Sequence, residues 1–370
     1  MSIKIENIKI EVIKIERSDA FIAIIKLIEK HGTKNAIDLL PKSEKKKLTF
    51  TINNTNAAFA NAIRRILIDQ IITSCLNVDE QDVKTDDEFV AGMINVIIGN
   101  ISLIPIYQNI EIDKAEYNIS LSVFNNTNEH MSVKASDIIS LKKKKHNKGE
   151  YIKGEYTDNS ERHSSLELFP DKNITLFNLR PGKYIKINNM YLEKGNAYNH
   201  AGKFTLLNNV TYKPLDIEPY NQFTESGTKS VEKNCTSFEI SFTTAGNIEL
   251  DIVINAVCDI LLNDLRDIYN KLKLYIEANT PKYYKGDNCE IMINNNIYTI
   301  NLAGHYLTEL NIISMYCYQL DINTPFVTST VERYDSNVGI IKLKHSDFGI
   351  LLKAIEAAEK DIDIVRNKLG

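Results

Sequence analysis

The apolar residues of this chain follow two spacings, one typical of helices and one typical of strands. Apolar residues recur every three or four positions over residues 55–70, 250–275 and 348–369, as in a helix with one buried face. A shorter helix of this kind is predicted at 306–320, and another at 19–40 as an insertion. Period-two runs bounded by Asn, Asp and Gly predict strands. The strands are predicted at 2–16, 48–52, 117–124, 174–179, 184–187, 204–212, 238–243, 290–293, 297–301, 325–330 and 338–344.

The two longest helices carry heptad stripes, which predict that they pack against each other within one chain. In order along the chain, a strand, a helix, further strands and a long helix occur twice. We therefore expect an α+β fold made of two copies of one strand–helix–strand–long-helix dimerisation fold. The predicted seam consists of Leu250, Ile254, Val257, Leu261, Leu265 and Ile268 in the first long helix and of Phe348, Leu351, Ile355, Ile362 and Val365 in the second.

A β-rich stretch is predicted to interrupt the first copy as an inserted domain. The first dimerisation domain then comprises residues 1–78 and 232–279, and the insert comprises residues 79–231. A linker is predicted at 280–287, where Pro281 and Gly286 break regular structure. Residues 288–370 form the second dimerisation domain.

The helix predicted at 55–70 has an apolar inner face and an unusual outer face. Asn54, Thr55 and Asn56 offer side-chain oxygens to cap its first N–H groups. An isoleucine between two arginines is typical of a surface that binds another protein, since the arginine fork stays charged and bonds bidentately. A solvated face with one exposed apolar residue is the alternative. The outer face consists of Asn61, Arg64, Arg65 and Ile68.

Composition and charge indicate an ordinary globular protein whose main partner is not nucleic acid. Apolar residues make up 43% and charged residues 25% of the chain, and the net charge of −4 is unlike that of nucleic-acid-binding domains. The basic run Lys142–Lys148 is interpreted as a solvated loop, with contact to a phosphate backbone or an acidic protein surface as the alternative. The uncharged stretch Phe89–Ile110 is interrupted by Asn95 and Gly99, so we expect buried strands rather than a membrane span.

No spacing of residues in this sequence predicts catalysis or metal binding. The five cysteines stand apart without a Cys-x-x-Cys pair, and no Gly-rich phosphate loop is present. Asp86–Glu88 is interpreted as an acidic turn rather than as a magnesium site. We expect no catalytic residue, no metal, no cofactor, and a reducing compartment.

Several of these segments resemble the assembly subunits of multisubunit RNA polymerases. The segment Asn56-x-x-x-Ala-Asn-Ala-Ile-Arg-Arg65 resembles the first helix of the bacterial alpha chain, its archaeal counterpart and the third-largest subunit of eukaryotic polymerase II. Asp87-Glu-Phe-Val-Ala, Leu103-Ile-Pro-Ile and Leu179-Arg-Pro-Gly-Lys resemble the inserted domain of that family. Residues 288–370 resemble its small partner subunit, although His305-Tyr-Leu-Thr-Glu keeps only His305 and Leu307 of the family motif.

The fused order of a large and then a small assembly subunit is similar to that in large cytoplasmic DNA viruses. The resemblance implies a non-catalytic assembly subunit of a viral DNA-dependent RNA polymerase. It implies that the paired arginines face a large catalytic subunit. Implied partners are the largest and second-largest polymerase subunits and small assembly subunits, with DNA reached only through the complex and no membrane. The implied location is the host cytoplasm, in viral factories, and the virion, without secretion. A nucleic-acid-binding protein that uses Lys142–Lys148 is the alternative.

Overall fold

The structure is a computed structural model. Two of the predictions from the sequence concern residues that it does not describe. These are the helix at 19–40 and residues 143–148 of the basic run; Lys142 itself ends a strand. His305, which carries part of the resemblance, also lies outside. The described residues are 3–13, 45–108, 117–142, 167–216, 235–278, 282–304, 307–321, 326–331 and 338–370.

The chain is a mixed α/β protein with several antiparallel sheets. The strands of the described part are β1 (Lys4–Ile13), β2 (Lys45–Asn53), β3 (Thr73–Asn77), β4 (Val83–Thr85), β5 (Tyr117–Phe124), β6 (Met131–Lys134), β7 (Ile138–Lys142), β8 (Thr175–Leu179), β9 (Tyr184–Gly195), β10 (Leu207–Pro214), β11 (Phe238–Thr244), β12 (Tyr283–Gly286), β13 (Cys289–Asn294), β14 (Ile297–Ala303), β15 (Phe326–Val331) and β16 (Val338–Lys344). Its helices are α1 (Ala57–Asp69), α2 (Glu88–Ala91), α3 (Ile94–Ser102), α4 (Ala201–Phe204), α5 (Leu250–Ala278), α6 (Leu307–Leu320) and α7 (Ile350–Leu369).

Two sheets are accompanied by helices in the same order along the chain. In each case a shorter helix follows one of the earlier strands, and a long helix follows the last strand. The first sheet has the strand order β1-β2-β11-β10, with α1 after β2 and α5 after β11. The second has the order β12-β13-β14-β16-β15, with α6 after β14 and α7 after β16. The hairpin predicted at 290–301 is confirmed. Its two turn residues, Asn295 and Asn296, have φ of 50° and 61°, as a tight two-residue hairpin loop requires.

The described residues form two hydrophobic cores. One core joins the first and second sheets with α1, α5, α6 and α7, so that the two ends of the chain share one apolar interior. The other core draws on residues between Leu76 and Leu192 and lies within the β-rich part, where β3, β9, β5 and β7 form one sheet and β6 pairs with β8. Burial of one shared core is the main force holding the first and last segments together.

The prediction of strands over Phe89–Ile110 is wrong, because this stretch begins with two helices, α2 and α3. The carboxylate of Asp87 caps the first of them by accepting the backbone N–H groups of Phe89 at 3.0 Å and Val90 at 3.5 Å. Ile97 and Ile101 are buried four residues apart on α3, which is a helical spacing. In α3 the high β-propensity of isoleucine is therefore overridden by core packing.

The linker predicted at 280–287 is also wrong in part, because strand β12 occupies residues 283–286 of it. Tyr283 pairs with Met292, and Gly286 pairs with Cys289, so this segment is the edge strand of the second sheet. Two tyrosines in succession favour a strand more strongly than the flanking Pro281 and Gly286 oppose it. Within the described ranges, no helix is long and apolar enough to cross a membrane.

Candidate partner-binding face

Helix α1 lies on the first sheet and against α6, and its inner face is fully buried. Asn56 begins the helix as its N-cap, with Oδ1 accepting the backbone N–H of Phe59 at 2.9 Å. The ring of Phe59 meets the ring of Tyr316 on α6 with their centroids 6.3 Å apart. Only the outer side of α1 is therefore open to a partner. The buried residues are Phe59, Ala60, Ala62, Ile63, Ile66 and Leu67.

The four residues predicted to bind a partner lie on this outer side, and three of them are half-buried. Ile68 is 38% exposed, whereas Asn61, Arg64 and Arg65 are covered to a greater extent. Nε of Arg64 donates to Oδ1 of Asn61 at 3.0 Å, and its guanidinium carbon lies 5.7 Å from the ring centre of Tyr212 on β10. These contacts hold Arg64 against its own chain. Tyr212 is a member of this site that sequence reasoning missed.

Arg65 differs from Arg64, because it forms no hydrogen bond or ion pair with any residue that the structure describes. Its charge lies near two carboxyls, those of Asp69 on α1 and Glu309 on α6. Burial raises the pKa of both carboxyls, and the positive charge of Arg65 partly opposes that effect. The planar guanidinium donors of Arg65 thus remain available for a carboxylate or carbonyl from another molecule.

Glu309 is a buried carboxyl that the sequence analysis missed. It is 1% exposed, and neither carboxylate oxygen has a hydrogen-bond partner on another residue in the described part of the chain. Burial raises the pKa of Glu309 to about 8, and the negative charge of Asp264 on α5 adds to this effect. Glu309 is therefore mostly protonated at neutral pH, the form that is less costly to bury. The sequence does contain a signal for the burial of this side chain. Glu309 lies three and seven residues before the apolar positions Ile312 and Tyr316, which are helical spacings.

Asp264 on α5 is a second carboxyl whose charge acts on Glu309. Burial raises the pKa of Asp264 to about 6, with a further contribution from the charge of Asp267. Asp69, Arg65, Glu309 and Asp264 are thus titratable groups that influence one another across α1, α6 and α5, and Arg65 is the cation among them.

The predicted seam residues lie where α5 and α7 pack together, with two differences. Leu250, at the first position of α5, is half-buried rather than buried. Phe348 precedes α7, which begins at Ile350, and its ring packs against Tyr275 at 4.8 Å and Tyr298 at 5.0 Å. The seam residues that the structure buries are Ile254, Val257, Leu261, Leu265, Ile268, Phe348, Leu351, Ile355, Ile362 and Val365.

Polar contacts along the seam show that α5 and α7 are antiparallel. Nε of Arg266 donates to Oε1 of Glu359 at 3.1 Å, and the hydroxyl of Tyr269 donates to Oε1 of Glu356 at 3.2 Å. Because the partner numbers on α7 fall as those on α5 rise, the two helices run in opposite directions. These contacts are exposed and contribute little energy beside the apolar seam.

Two of the motifs that resemble the family's inserted domain meet at Asp87. This carboxylate is fully buried, and Oδ1 accepts Nε of Arg180 at 2.8 Å and pairs with its Nη2 at 2.6 Å. The hydrogen bonds from Arg180 lower the pKa of Asp87 to about 2. The Arg180 fork therefore fixes the turn after β8 onto the N-terminus of α2, a structural role in the β-rich part.

In the ranges that the structure describes, no group of three or more His, Cys, Asp or Glu side chains is placed to hold a metal ion. The five cysteines are free, and burial raises the pKa of Cys75, Cys258 and Cys289 to about 11. These thiols are therefore protonated and unreactive at neutral pH.

Comparisons with known proteins do not assign the chain to a family. No protein-family model matches the chain, and no curated protein matches it. The geometry described above and the sequence resemblance are therefore the observations that bear on its function.

Proposed function

We propose that this chain is a non-catalytic assembly subunit of a viral DNA-dependent RNA polymerase, with two copies of a dimerisation fold joined in one chain. The observation that carries the proposal is the outer side of α1. There Arg65, unpaired among the described residues, lies beside the exposed Ile68 on a helix whose other face is fully buried. A charged rim beside an apolar centre is the arrangement expected of a protein-binding hot spot.

The pairing of α5 with α7 supports the two-copy arrangement. In cellular relatives of the proposed family, two separate chains supply the two dimerisation folds. Here the long helix after β11 packs antiparallel against the long helix after β16, and both sheets contribute to one core. A single chain holds its two halves at high effective concentration, so it needs no second assembly subunit to complete this core.

The proposed role is to present α1 to the two large subunits during assembly. The proposed partners are the largest and second-largest polymerase subunits, with small assembly subunits beside them. Catalysis and DNA binding then belong to the large subunits. The proposed location is the host cytoplasm, in viral factories, and the virion.

Charge reversal on α1 tests the proposal. We expect Arg65→Glu to weaken capture of the second-largest subunit by about 2–4 kcal/mol, the range of interface hot spots. The chain should still fold cooperatively, at a lower melting temperature because the new carboxylate lies near Asp69 and Glu309. Arg64→Glu should weaken capture and also lower the melting temperature, because Arg64 contacts Asn61 and Tyr212. Lys360→Glu, an exposed cation on α7, is the matched control. Equal capture by all three variants would show that α1 is the wrong face for the partner.

A further inference from the structure

The sheet of the β-rich part has one face on its core and one face open to solvent, and the open face carries two exposed aromatic rings side by side. Phe124 on β5 pairs directly with Tyr184 on β9, and their side chains are 61% and 41% exposed. Directly paired residues share one face of a sheet, and the next residue on β9, Ile185, is fully buried on the other face. The two rings therefore lie in solvent, although aromatic rings gain more than most side chains from burial.

Two lysines form the next row of the same face. Lys84 on β4 pairs directly with Lys186 on β9, and Ser122 on β5 pairs with Lys186 from the other side. The side chains of all three residues are exposed. Because Lys186 and Tyr184 are two residues apart on one strand, the lysine row lies about 7 Å from the aromatic row.

The positive charge of the lysine row is not balanced within the described part of the chain. Neither Lys84 nor Lys186 forms an ion pair or a side-chain hydrogen bond with a residue that the structure describes. Like charges on directly paired residues repel each other, which lowers stability. The carboxyl of Asp86 near this row is already engaged, since Oδ1 accepts the backbone N–H of Tyr184 at 2.8 Å and Oδ2 lies 3.9 Å from Nζ of Lys183. A bound anion would relieve the repulsion between the two lysines.

We propose that the open face of this sheet binds single-stranded nucleic acid through a stacking surface defined by Lys84, Phe124, Tyr184 and Lys186. Bases stack on the two rings, and phosphates pair with the two lysines. The rings decide between the polyanions that suit the lysines. Every base has a flat face that stacks on an aromatic ring, whereas the carboxylates of an acidic peptide offer the rings no such surface.

This inference goes beyond the proposed function, which assigns DNA binding to the large subunits. The four residues come from three strands that are distant in sequence, so no local run of basic and aromatic residues indicates the surface. The stacking surface is also separate from the basic run, which begins at Lys142 where β7 ends. Because the whole chain has a net charge of −4, binding depends on the local charge of this face and should weaken steeply as salt is raised.

The proposal is tested with the purified full-length chain by fluorescence anisotropy of a labelled oligouridine of about 12 nucleotides. We expect Phe124→Ala and Tyr184→Ala each to weaken binding about tenfold, the loss expected for one stacked base. Lys84→Gln combined with Lys186→Gln should make the slope of log affinity against log salt less steep by about 1.4, because two phosphate contacts are lost. Thermal melts should match that of the parent, since all four side chains are exposed.

Matched controls separate the stacking surface from the rest of the chain. Tyr198→Ala removes a ring that is as exposed as that of Phe124, and Lys360→Gln removes an exposed cation on α7. Both controls should bind like the parent. Replacement of Lys142–Lys145 by serine tests the basic run. Lost binding in that variant together with parental binding by Phe124→Ala would place the nucleic acid on the basic run and overturn the inference.

Competitors identify the ligand. Oligodeoxythymidine of the same length carries the same phosphates and similar flat bases and should also displace the probe; the tighter of the two strands shows whether RNA or DNA is preferred. A duplex should compete about tenfold less well, because its bases are already stacked on each other. Oligoglutamate of equal charge should compete poorly as well.

Equal competition by the duplex or by oligoglutamate would overturn the inference, as would a parent chain that does not bind single strands at low salt. Parental affinity of both aromatic variants would overturn it too. The large subunits are absent from this assay, so its failure leaves the proposed assembly role intact, and failure of the assembly role leaves this result intact.

Discussion

The buried carboxyl of Glu309 should make the folded chain less stable as the pH rises. Burial raises its pKa in the folded chain to about 8, whereas a glutamate in an unfolded chain titrates at about 4.3. Between these values the folded chain keeps a proton that the unfolded chain has released. The stability is therefore greatest below the unfolded pKa and is lost progressively as the pH rises to the folded pKa.

The size of this effect follows from the difference between the two pKa values. Each pKa unit corresponds to about 1.4 kcal/mol, so the loss between pH 5 and pH 8 is about 4 kcal/mol as an upper bound. Glu309→Gln removes the titration. The glutamine amide and the protonated carboxyl are both neutral and have equally few partners at this buried position. The cost of burying them is therefore about the same in the variant and in the parent at low pH. The charge of Asp264 contributes to the raised pKa of Glu309, so the difference between parent and variant reports Glu309 together with its interaction with Asp264.

The assay is urea unfolding of the parent and of Glu309→Gln at several pH values from 5 to 8. We expect the variant to gain stability relative to the parent with each step of pH and to be the more stable protein at pH 8. Glu80→Gln is the control, because Glu80 is exposed and its loss should leave the pH profile unchanged. Parallel pH profiles of the parent and the Glu309 variant would refute the burial of a protonated carboxyl at this position.

Three other outcomes follow from the packing. Leu261→Asp and Ile355→Asp place a charge in the α5–α7 seam and should each lower the free energy of unfolding by about 3–5 kcal/mol; thermal melts like that of the parent would contradict the pairing. Arg180→Ala leaves the Asp87 carboxylate buried without its main partner and should lower stability at pH 7, a difference that shrinks in denaturant titrations as the pH falls toward the folded pKa of about 2. Light scattering should find a monomer at micromolar concentration, since the two long helices already pair within one chain; a mass that doubles with concentration would contradict this.

The features that could be predicted from the sequence are those with a strong local signal. Asn56 caps α1 because a short polar side chain precedes a run of good helix formers. The heptad stripes of α5 and α7 are long enough to fix the helix type and the buried face from periodicity alone. The Asn295–Asn296 turn is set by residues that tolerate positive φ.

The features that the sequence analysis missed depend on residues far apart in the chain. Tyr212 stacks on Arg64 only because β10 lies beside α1, and Arg180 meets Asp87 only after β8 and α2 are placed. Helices replace the strands predicted over Phe89–Ile110 because the core that covers Ile97 and Ile101 overrides the β-propensity of single residues. Sequence spacing carries no direct information on such contacts.

The proposed assembly role is tested most directly by purification of the tagged full-length chain from cells that make the whole polymerase. Quantitative mass spectrometry then measures the proteins recovered with it. The proposal predicts the largest and second-largest polymerase subunits at one copy per copy of this chain, and their loss when Arg65 is replaced by Glu. Recovery of the chain without either large subunit, or equal recovery with the Arg65→Glu chain, would contradict the proposed role of α1.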